Sequence, residues 1–489
     1  FHGYTCIGDS VMNRKMIAHI LAKMLGVEAL LLILPALVGV IYQEKSTMYF
    51  LPPILLLALI YVIGGRKKPE NSTIYAKEGM VVVALAWILW SLFGALPFFL
   101  SGYIPSYLDA FFETVSGFTT TGSSIMPDVE ILPQCMHFWR SFTHWIGGMG
   151  VLVFVMVLTS LDKKNSMYLM RAEVPGPEKD KLVPKMMSTA RILYGMYFAL
   201  TALEVILLMF GGLSLFDSLI HSFGSAGTGG FSNYADSVGH FDSAYVDGVI
   251  TVFMILFGVN FSLYFLILIK EYKSVWKNEE LRAYFGIIAA ATAVITFNIL
   301  PQYGSVTKAF RYAVFQVGTI ITTTGYATTD FNLWPMLSKC ILIALMIIGA
   351  CASSTGGGIK VSRFLIAMKS IKREVKQMAH PKSVNLICVN GKKMSNDVIR
   401  SVFVYFMAYA GIAGLSVLIV SADNFDFATT FSSVMATLNN IGPGIEDVGA
   451  TGNFSAFSPL SKLVFCFDML AGRLEIFPFL MLFTTKVWR

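Results

Sequence analysis

Four short motifs rich in threonine and glycine recur along the chain, and each could present main-chain oxygen atoms to a cation. They are Thr119-Thr120-Thr121-Gly122 (loop 1), Gly227-Thr228-Gly229-Gly230 (loop 2), Thr322-Thr323-Thr324-Gly325 (loop 3) and Asn439-Asn440-Ile441-Gly442 (loop 4). Glycine inside a helix costs about 1 kcal/mol relative to alanine. An extended Thr/Gly backbone, by contrast, can replace the water shell of an ion with carbonyl oxygens. The pattern therefore predicts four ion-coordinating loops, enough to surround one pore within a single chain.

The predicted coordinating set takes three residues from each loop. Its members are Thr120, Thr121, Gly122, Gly227, Thr228, Gly229, Thr323, Thr324, Gly325, Asn440, Ile441 and Gly442. In this alignment only the glycine is shared, at Gly122, Gly229, Gly325 and Gly442, so coordination would be asymmetric and selectivity against sodium modest. The plain alternative is four helix breaks at packing contacts, since glycine is common in membrane helices.

A second glycine-rich segment, residues 349–360, interrupts a later apolar span with three consecutive glycines and three hydroxyl residues. Such a composition predicts a break in the helix and a flexible loop below the ion-coordinating loops. We interpret the loop as a gate, with Gly356, Gly357, Gly358, Lys360 and Arg473 as candidate gating residues. The alternative is a kink at which small residues allow helices to pack closely.

Arg473 lies inside the last apolar span, where an arginine costs at least ~2.5–3.5 kcal/mol and nearly always faces a bundle interior or a cavity. One interpretation places it in the pore as an electrostatic barrier. The other pairs it with Asp468 or Glu475, and both remain open. For Arg140 the same two interpretations exist, and a structural ion pair near the outer end is favoured.

Composition sets the class of protein. The chain has 489 residues, of which 55% are hydrophobic and 14% charged, and its mean hydropathy is +0.66. Soluble proteins have about 25% charged residues, and several apolar stretches here exceed the ~20 residues that cross a bilayer as a helix. The six cysteines are scattered, and no recognised catalytic motif occurs. We therefore predict a polytopic helical membrane protein that is not an enzyme and carries no organic cofactor.

The order of elements repeats four times after two leading spans: an apolar span, a short apolar segment, a Thr/Gly loop and a second span. The predicted fold is all-α, with four membrane–pore-loop–membrane repeats around a pseudo-four-fold pore plus two N-terminal transmembrane helices. The predicted boundaries are a non-structural extension (1–11), the two-helix region (12–75), repeat 1 (76–162), repeat 2 (186–272), repeat 3 (280–379, with a broken last helix) and repeat 4 (395–489).

Charge placement predicts the orientation. Residues 101–136, 211–248 and 422–461, which contain loops 1, 2 and 4, have many acidic residues and no lysine or arginine. Basic residues concentrate in the opposite connections, and they mark the cytoplasmic side. The Thr/Gly loops are thus predicted to open outward, with both termini in the cytoplasm. An acidic outer face would also concentrate cations at the pore mouth.

Several motifs together resemble the TrkH branch of the Trk/Ktr/HKT potassium transporters, over nearly the whole chain. The segments that carry the resemblance are residues 111–122, 145–150, 171–177, 229–232, 354–360, 436–444 and 472–477. The resemblance implies a potassium pathway in each protomer of a homodimer, in a bacterial inner membrane. It implies that residues 356–360 form the gating loop beside Arg473. It also implies control by a cytosolic ring of NAD- and ATP-binding subunits of the TrkA type. Gly227-Thr228 in loop 2 departs from the family pattern.

The predicted function is potassium uptake through the four loops, with potassium as the transported ion. A carrier that couples potassium to protons or sodium is the main alternative. Carriers tend to have broken helices in inverted repeats, whereas these repeats all run in one orientation. A membrane-embedded enzyme or an assembly factor is the alternative from another class.

Overall fold

Two apolar spans lead the described part of the chain. The computed structural model describes residues 12–150, 186–383, 385–485 and 488. The side chain of Asn13 caps α1 (Arg14–Leu31), which continues through α2 (Ile33–Ile41) as one span. The second span, Lys45–Gly65, contains α3 (Leu51–Ile60) between a 3₁₀ turn and a π turn. The predicted extension (1–11), the end of repeat 1 (151–162) and the motif at 171–177 lie outside the described residues.

Each predicted repeat contributes a long first helix, a short helix and a second helix. The first helices are α4 (Ala76–Gly94) with α5 (Leu96–Leu100), α8 (Met186–Phe210), α13 (Glu279–Tyr303) and α17 (Asn396–Val420). The short helices are α6 (Tyr107–Phe118), α9 (Leu215–Gly227), α14 (Val306–Ile321) and α18 (Phe427–Leu438). The second helices are α7 (Gln134–Gly148), α10 (Ala244–Phe257) with α11 (Phe261–Leu268), α15 (Met336–Ile348) with α16 (Val361–Ala379), and α19 (Pro459–Arg473). The described residues also include two small helices, α12 (Tyr272–Trp276) and α20 (Phe477–Leu480).

Length and apolar composition identify the membrane spans. In the described part of the chain, six helices are long and apolar enough to cross a bilayer, and α10 with α11 would make a seventh. The first helices expose large apolar side chains, such as Phe297 and Leu418, as a lipid-facing surface requires. The chain is therefore a multi-pass helical membrane protein.

The short helices are the innermost elements. Hydroxyl or carboxylate side chains of Ser106, Ser214 and Asp426 cap α6, α9 and α18. Residues 112–118 at the end of α6 are all buried, and the other three short helices are buried in the same way at their C-terminal halves. Aromatic rings of Trp90, Phe118 and Trp139 pack edge to face around α6. These helices hold the Thr/Gly loops away from lipid.

Two spans that we predicted as single helices are broken. The second span of repeat 2 bends by 91° between α10 and α11, where Gly258 and Asn260 interrupt the helix. The last span ends as a helix at Arg473, and Glu475 and Ile476 follow with positive φ. Arg473 thus lies at a helix C-terminus, where a cation also meets the negative end of the helix dipole.

The all-α prediction also misses a small hairpin in the connection before α17. Strands β1 (Cys388–Val389) and β2 (Lys392–Lys393) pair antiparallel. The turn is Asn390-Gly391, both with positive φ, which is the usual sequence signal for a two-residue hairpin turn.

Candidate ion-coordinating site

The four short helices end in one and the same backbone motif. At each end a residue adopts the left-handed conformation: Thr120 (φ 56°), Thr228 (φ 56°), Thr323 (φ 63°) and Asn440 (φ 55°). The next amide N–H bonds back to the carbonyl five residues earlier, in the pairs Thr121–Ser116 (2.9 Å), Gly229–Gly224 (2.8 Å), Thr324–Thr319 (2.8 Å) and Ile441–Ala436 (2.9 Å). This is the Schellman arrangement. It turns the chain sharply out of each helix at equivalent points.

The shared motif fixes the alignment of the loops and corrects loop 2 by one residue. Because Thr228 is equivalent to Thr120, the residue equivalent to Gly122 is Gly230, whereas we predicted Gly229. Gly122, Gly230 and Gly325 have φ of 86°, 78° and 86°. The predicted alignment counted Gly227 as a loop residue, whereas α9 continues to Gly227. Gly227 thus belongs to the helix end, and Gly230 was absent from the predicted set.

Three of the four left-handed residues are threonines, which rarely adopt this conformation. A residue held in such a region costs about 1–3 kcal/mol, and such strain concentrates at functional sites. In loops 1 and 2 the hydroxyl offsets part of the cost, because Thr120 donates to the Thr119 carbonyl (2.7 Å) and Thr228 to the Gly227 carbonyl (2.6 Å). The repeated use of a strained residue argues against four ordinary helix breaks.

Each loop contacts the next, and loop 4 contacts loop 1. A β-carbon on Gly122 would collide with the carbonyl oxygen of Gly229, and one on Gly230 with the carbonyl of Thr324. One on Gly325 would lie 3.0 Å from the Gly442 nitrogen, and one on Gly442 would lie 2.9 Å from the Gly122 oxygen. Close backbone approach therefore favours glycine at all four positions, and positive φ adds to this requirement at Gly122, Gly230 and Gly325.

The ring of loops opens into a cavity of about 120 Å³ that all four glycines line, namely Gly122, Gly230, Gly325 and Gly442. Arg140 also lines this cavity. Its Nε lies 2.6 Å from Glu113 Oε1, both side chains are buried, and its guanidinium stacks 3.6 Å from the Phe231 ring centroid. This confirms the structural interpretation of Arg140.

His144 supports two loops at once. Its Nδ1 lies 2.7 Å from the Gly117 carbonyl, and its Nε2 lies 3.3 Å from the Phe231 amide nitrogen. Since the amide can only donate, Nε2 is the acceptor and Nδ1 carries the proton. A neutral imidazole therefore links the end of α6 to loop 2. Sequence analysis did not single out this histidine, because its two partners are distant in the chain.

Further ion pairs connect the repeats on the loop side. Arg311 pairs with Asp247 (2.7 Å) and Lys462 with Asp109 (2.9 Å). Arg311 thus places a basic side chain of repeat 3 beside a carboxylate of repeat 2. At the start of α18, hydrogen bonds from the Thr429 hydroxyl and amide lower the pKa of Asp426. The carboxylate is therefore kept charged at the helix N-terminus, where a negative charge is favourable.

The interrupting loop, residues 349–360, connects α15 to α16 and lies directly against loops 3 and 4. The Gly357 amide donates to Thr323 Oγ1 (2.6 Å), and the Gly358 amide donates to the Asn439 carbonyl (3.1 Å). A β-carbon on Gly356 would lie 2.7 Å from the Thr322 carbonyl. Gly356 and Gly357 are thus required by contact with the Thr/Gly loops, whereas Gly358 is required by its positive φ and its close approach to Gly349.

The other side of the interrupting loop occupies the break between α10 and α11. The Cys351 amide donates to the Gly258 carbonyl (3.1 Å), and the Phe261 amide donates to the Ser353 carbonyl (3.1 Å). A helix break leaves backbone groups without helical partners, and here the interrupting loop supplies them. Gly258 and Asn260 indicate this break in the sequence, but we did not use that signal.

Arg473 and Lys360 both donate hydrogen bonds to carbonyls of the interrupting loop. Arg473 donates to the Thr355 carbonyl (2.7 Å) and to the Gly148 carbonyl at the end of α7 (2.9 Å). Lys360 Nζ donates to the Gly356 carbonyl. The carboxylates that we considered as partners of Arg473 are engaged elsewhere, since Glu475 pairs with Arg363 and Asp468 accepts from Ser416. Arg473 therefore binds the loop directly.

The structure thus brings together the predicted coordinating and gating residues in one region at the centre of the bundle. Within the described residues, no group of three or more His, Cys, Asp or Glu side chains could hold a metal ion. None of the described residues that line the cavity carries a carboxylate, and uncharged oxygens suit a weakly held, transported cation.

A multi-pass helical bundle with this centre defines a membrane transport protein for cations. The model of the TrkH family, described as "Cation transport protein", matches residues 54–489, and the chain belongs to this family.

The Trk system potassium uptake protein TrkH of Salmonella typhimurium is 36% identical over 94% of this chain and 96% of its own. TrkG of Escherichia coli is 32% identical over 97% of this chain and 99% of its own. The crystal structure of the potassium transporter TrkH from Vibrio parahaemolyticus matches with a TM-score of 0.87 at 32% identity. That match covers 98% of this chain and 100% of the other.

Proposed function

We propose that this protein carries potassium ions into the cell through a single pore, with the four Thr/Gly loops as the selectivity filter. The observation that carries the proposal is the closed sequence of contacts from loop 1 through loop 4 and back, with four glycines at the wall of one cavity. The relatives named above are potassium uptake proteins, which supports potassium as the ion.

The proposed filter consists of three residues in each loop, starting at the left-handed residue, in the corrected alignment. Loop 2 therefore contributes Thr228, Gly229 and Gly230. The C-terminal dipole of each short helix points its negative end at the ion. An inside-negative membrane potential drives entry, at about 2.3 kcal/mol per charge per 100 mV.

The interrupting loop is the proposed gate. It lies against loops 3 and 4, and the cationic side chains of Lys360 and Arg473 bind its carbonyls. Both a steric block and an electrostatic barrier would therefore stand at the inner end of the filter. The loop has to move for ions to pass, and its glycines at Gly349 and Gly358, both with positive φ, are suitable hinges.

A homodimer is the proposed assembly, and α16 offers a surface for it. Met368, Ile371, Val375 and Met378 recur at spacings of three and four residues and are all exposed, with exposed fractions of 54–75%. This is the seam spacing of paired helices.

We place both termini in the cytoplasm of a bacterium, where a TrkA-type ring of nucleotide-binding subunits controls the gate.

The test is rubidium and sodium flux into liposomes that contain only the purified protein. We expect rubidium uptake that potassium inhibits by competition and that sodium inhibits only weakly. Uptake that requires a proton or sodium gradient would favour the coupled carrier. Absence of cation flux from a folded, monodisperse preparation would refute the proposal.

A further inference from the structure

We infer that Thr323 is a latch: its hydroxyl holds the interrupting loop closed against the filter, a role that the equivalent residues of the other three loops do not have. The inference rests on the proposed function, because it assigns one filter residue to the control of the gate. It starts from a comparison of four equivalent positions within one chain.

The equivalent side chains have different partners although the backbone is the same. In loops 1 and 2, Thr120 and Thr228 donate to the carbonyl just before them. In loop 4, Asn440 donates to Thr121 Oγ1 (3.0 Å) and to the Met469 carbonyl (2.8 Å). In loop 3, Thr323 Oγ1 instead accepts from the Gly357 amide (2.6 Å). Of these four positions, only that of loop 3 binds the interrupting loop through its side chain.

The other hydroxyl contacts of loop 3 match those of loop 1. Thr322 Oγ1 lies 2.8 Å from Thr324 Oγ1, as Thr119 Oγ1 lies 2.8 Å from Thr121 Oγ1. Loop 3 is therefore not distorted as a whole, and the difference is confined to Thr323. The physical cause is the neighbour, since the Gly357 N–H points at this hydroxyl.

The bond has a large effect because both atoms are buried. Thr323 is fully buried, and a β-carbon on Gly357 would collide with the Asn439 carbonyl. A buried N–H that loses its acceptor keeps the full cost of desolvation. Movement of the loop must break the Gly357–Thr323 bond and the adjacent Gly358–Asn439 bond. Thr323 is then free to bond the Thr322 carbonyl, as its equivalents in loops 1 and 2 bond theirs.

The latch thus ties the state of the gate to the filter. While it is closed, the Thr323 hydroxyl accepts from the loop, and the Gly357 dipole adds positive charge at the inner end of the filter. When it opens, loop 3 becomes more like loops 1 and 2. Removal of the hydroxyl should therefore favour the open gate and leave the backbone of the filter in place.

The experiment measures rubidium flux of the full-length protein in liposomes without any cytosolic partner. We expect Thr323→Val, which keeps the shape but lacks the hydroxyl, to raise flux roughly tenfold, the effect of losing one buried hydrogen bond. Thr323→Ser retains the oxygen and should give a clearly lower flux than Thr323→Val. Thr228→Val measures the effect on flux of losing a filter hydroxyl that does not bind the interrupting loop. The latch therefore predicts a clearly higher flux for Thr323→Val than for Thr228→Val.

Equal flux for Thr323→Val and Thr228→Val, or a lower flux for Thr323→Val, would overturn the latch. Thr323→Ala provides a second removal of the hydroxyl in case the valine variant is not recovered from the membrane. If the wild-type protein conducts and the Thr323 variants have the same flux as Thr228→Val, the latch alone is refuted. If neither the wild-type protein nor Thr323→Val or Thr323→Ala conducts while all remain folded, the proposed function is refuted instead.

Discussion

Replacement of Gly122 by alanine tests whether the contact between neighbouring loops maintains the filter. Gly122 has φ 86°, and a β-carbon there would collide with the Gly229 carbonyl oxygen. Gly212 is a matched control, because its φ is 90° and a β-carbon there would meet nothing within 4 Å. Both substitutions carry the backbone strain of about 1–3 kcal/mol. Only Gly122→Ala adds a collision.

The size of the added effect follows from the kind of atom that is struck. The Gly229 oxygen belongs to the backbone of loop 2 and cannot rotate away, so loops 1 and 2 must separate. Overpacking of this kind costs about 1–3 kcal/mol. At 1.4 kcal/mol per factor of ten, the population of the intact ring falls roughly 5- to 150-fold.

The assay compares rubidium flux and its competition by sodium in liposomes, with monodispersity as the check of folding. We expect Gly212→Ala to retain selective flux with a lower thermal stability. Gly122→Ala should lose selective flux by the stated factor. If the two variants give the same flux and the same selectivity, the contact between loops 1 and 2 has no part in the filter.

Three further predictions concern the gate, the buried ion pair and the dimer. Arg473→Ala should raise partner-free flux, because the Thr355 carbonyl loses its cationic donor; a fall in flux of folded protein would contradict a barrier role. Arg140→Met should lower stability by about 3–5 kcal/mol, since it leaves Glu113 buried and charged. Thermal unfolding in detergent measures this, and a loss no larger than that of Lys339→Met, at a more exposed pair, would refute it. Ile371→Glu should convert the dimer to a monomer by native mass measurement, whereas a dimer that persists would place the interface elsewhere.

Loop 2 shows how far sequence reasoning reached and where it failed. The Thr/Gly composition located the loop, because threonine and glycine are poor helix residues wherever they occur. The choice between Gly229 and Gly230 depended on where α9 ends, and the helix extends to Gly227 since tertiary packing overrides weak local propensity. Only the left-handed residue at Thr228 fixed the alignment.

The partners of the charged residues show the same limit. Sequence marked Arg473 as costly inside a span and left two interpretations open, a barrier in the pore or a pair with carboxylates nearby in the chain. The structure pairs Arg473 with carbonyls of Thr355 and Gly148, more than a hundred residues away. The break in the second span of repeat 2 had a local signal in Gly258 and Asn260, but the interrupting loop that satisfies its free backbone groups comes from repeat 3.

The sequence by itself determined the class of protein, the four loops, the interruption before Lys360 and the predicted orientation. These depend on composition and on local periodicity, which each segment carries alone. The tertiary structure decided which glycine of loop 2 faces the cavity, what Arg473 binds and why Thr323 differs from Thr120 and Thr228. Those features are contacts between segments distant in the chain, and a hydrogen bond exists only where folding brings donor and acceptor to within about 3 Å.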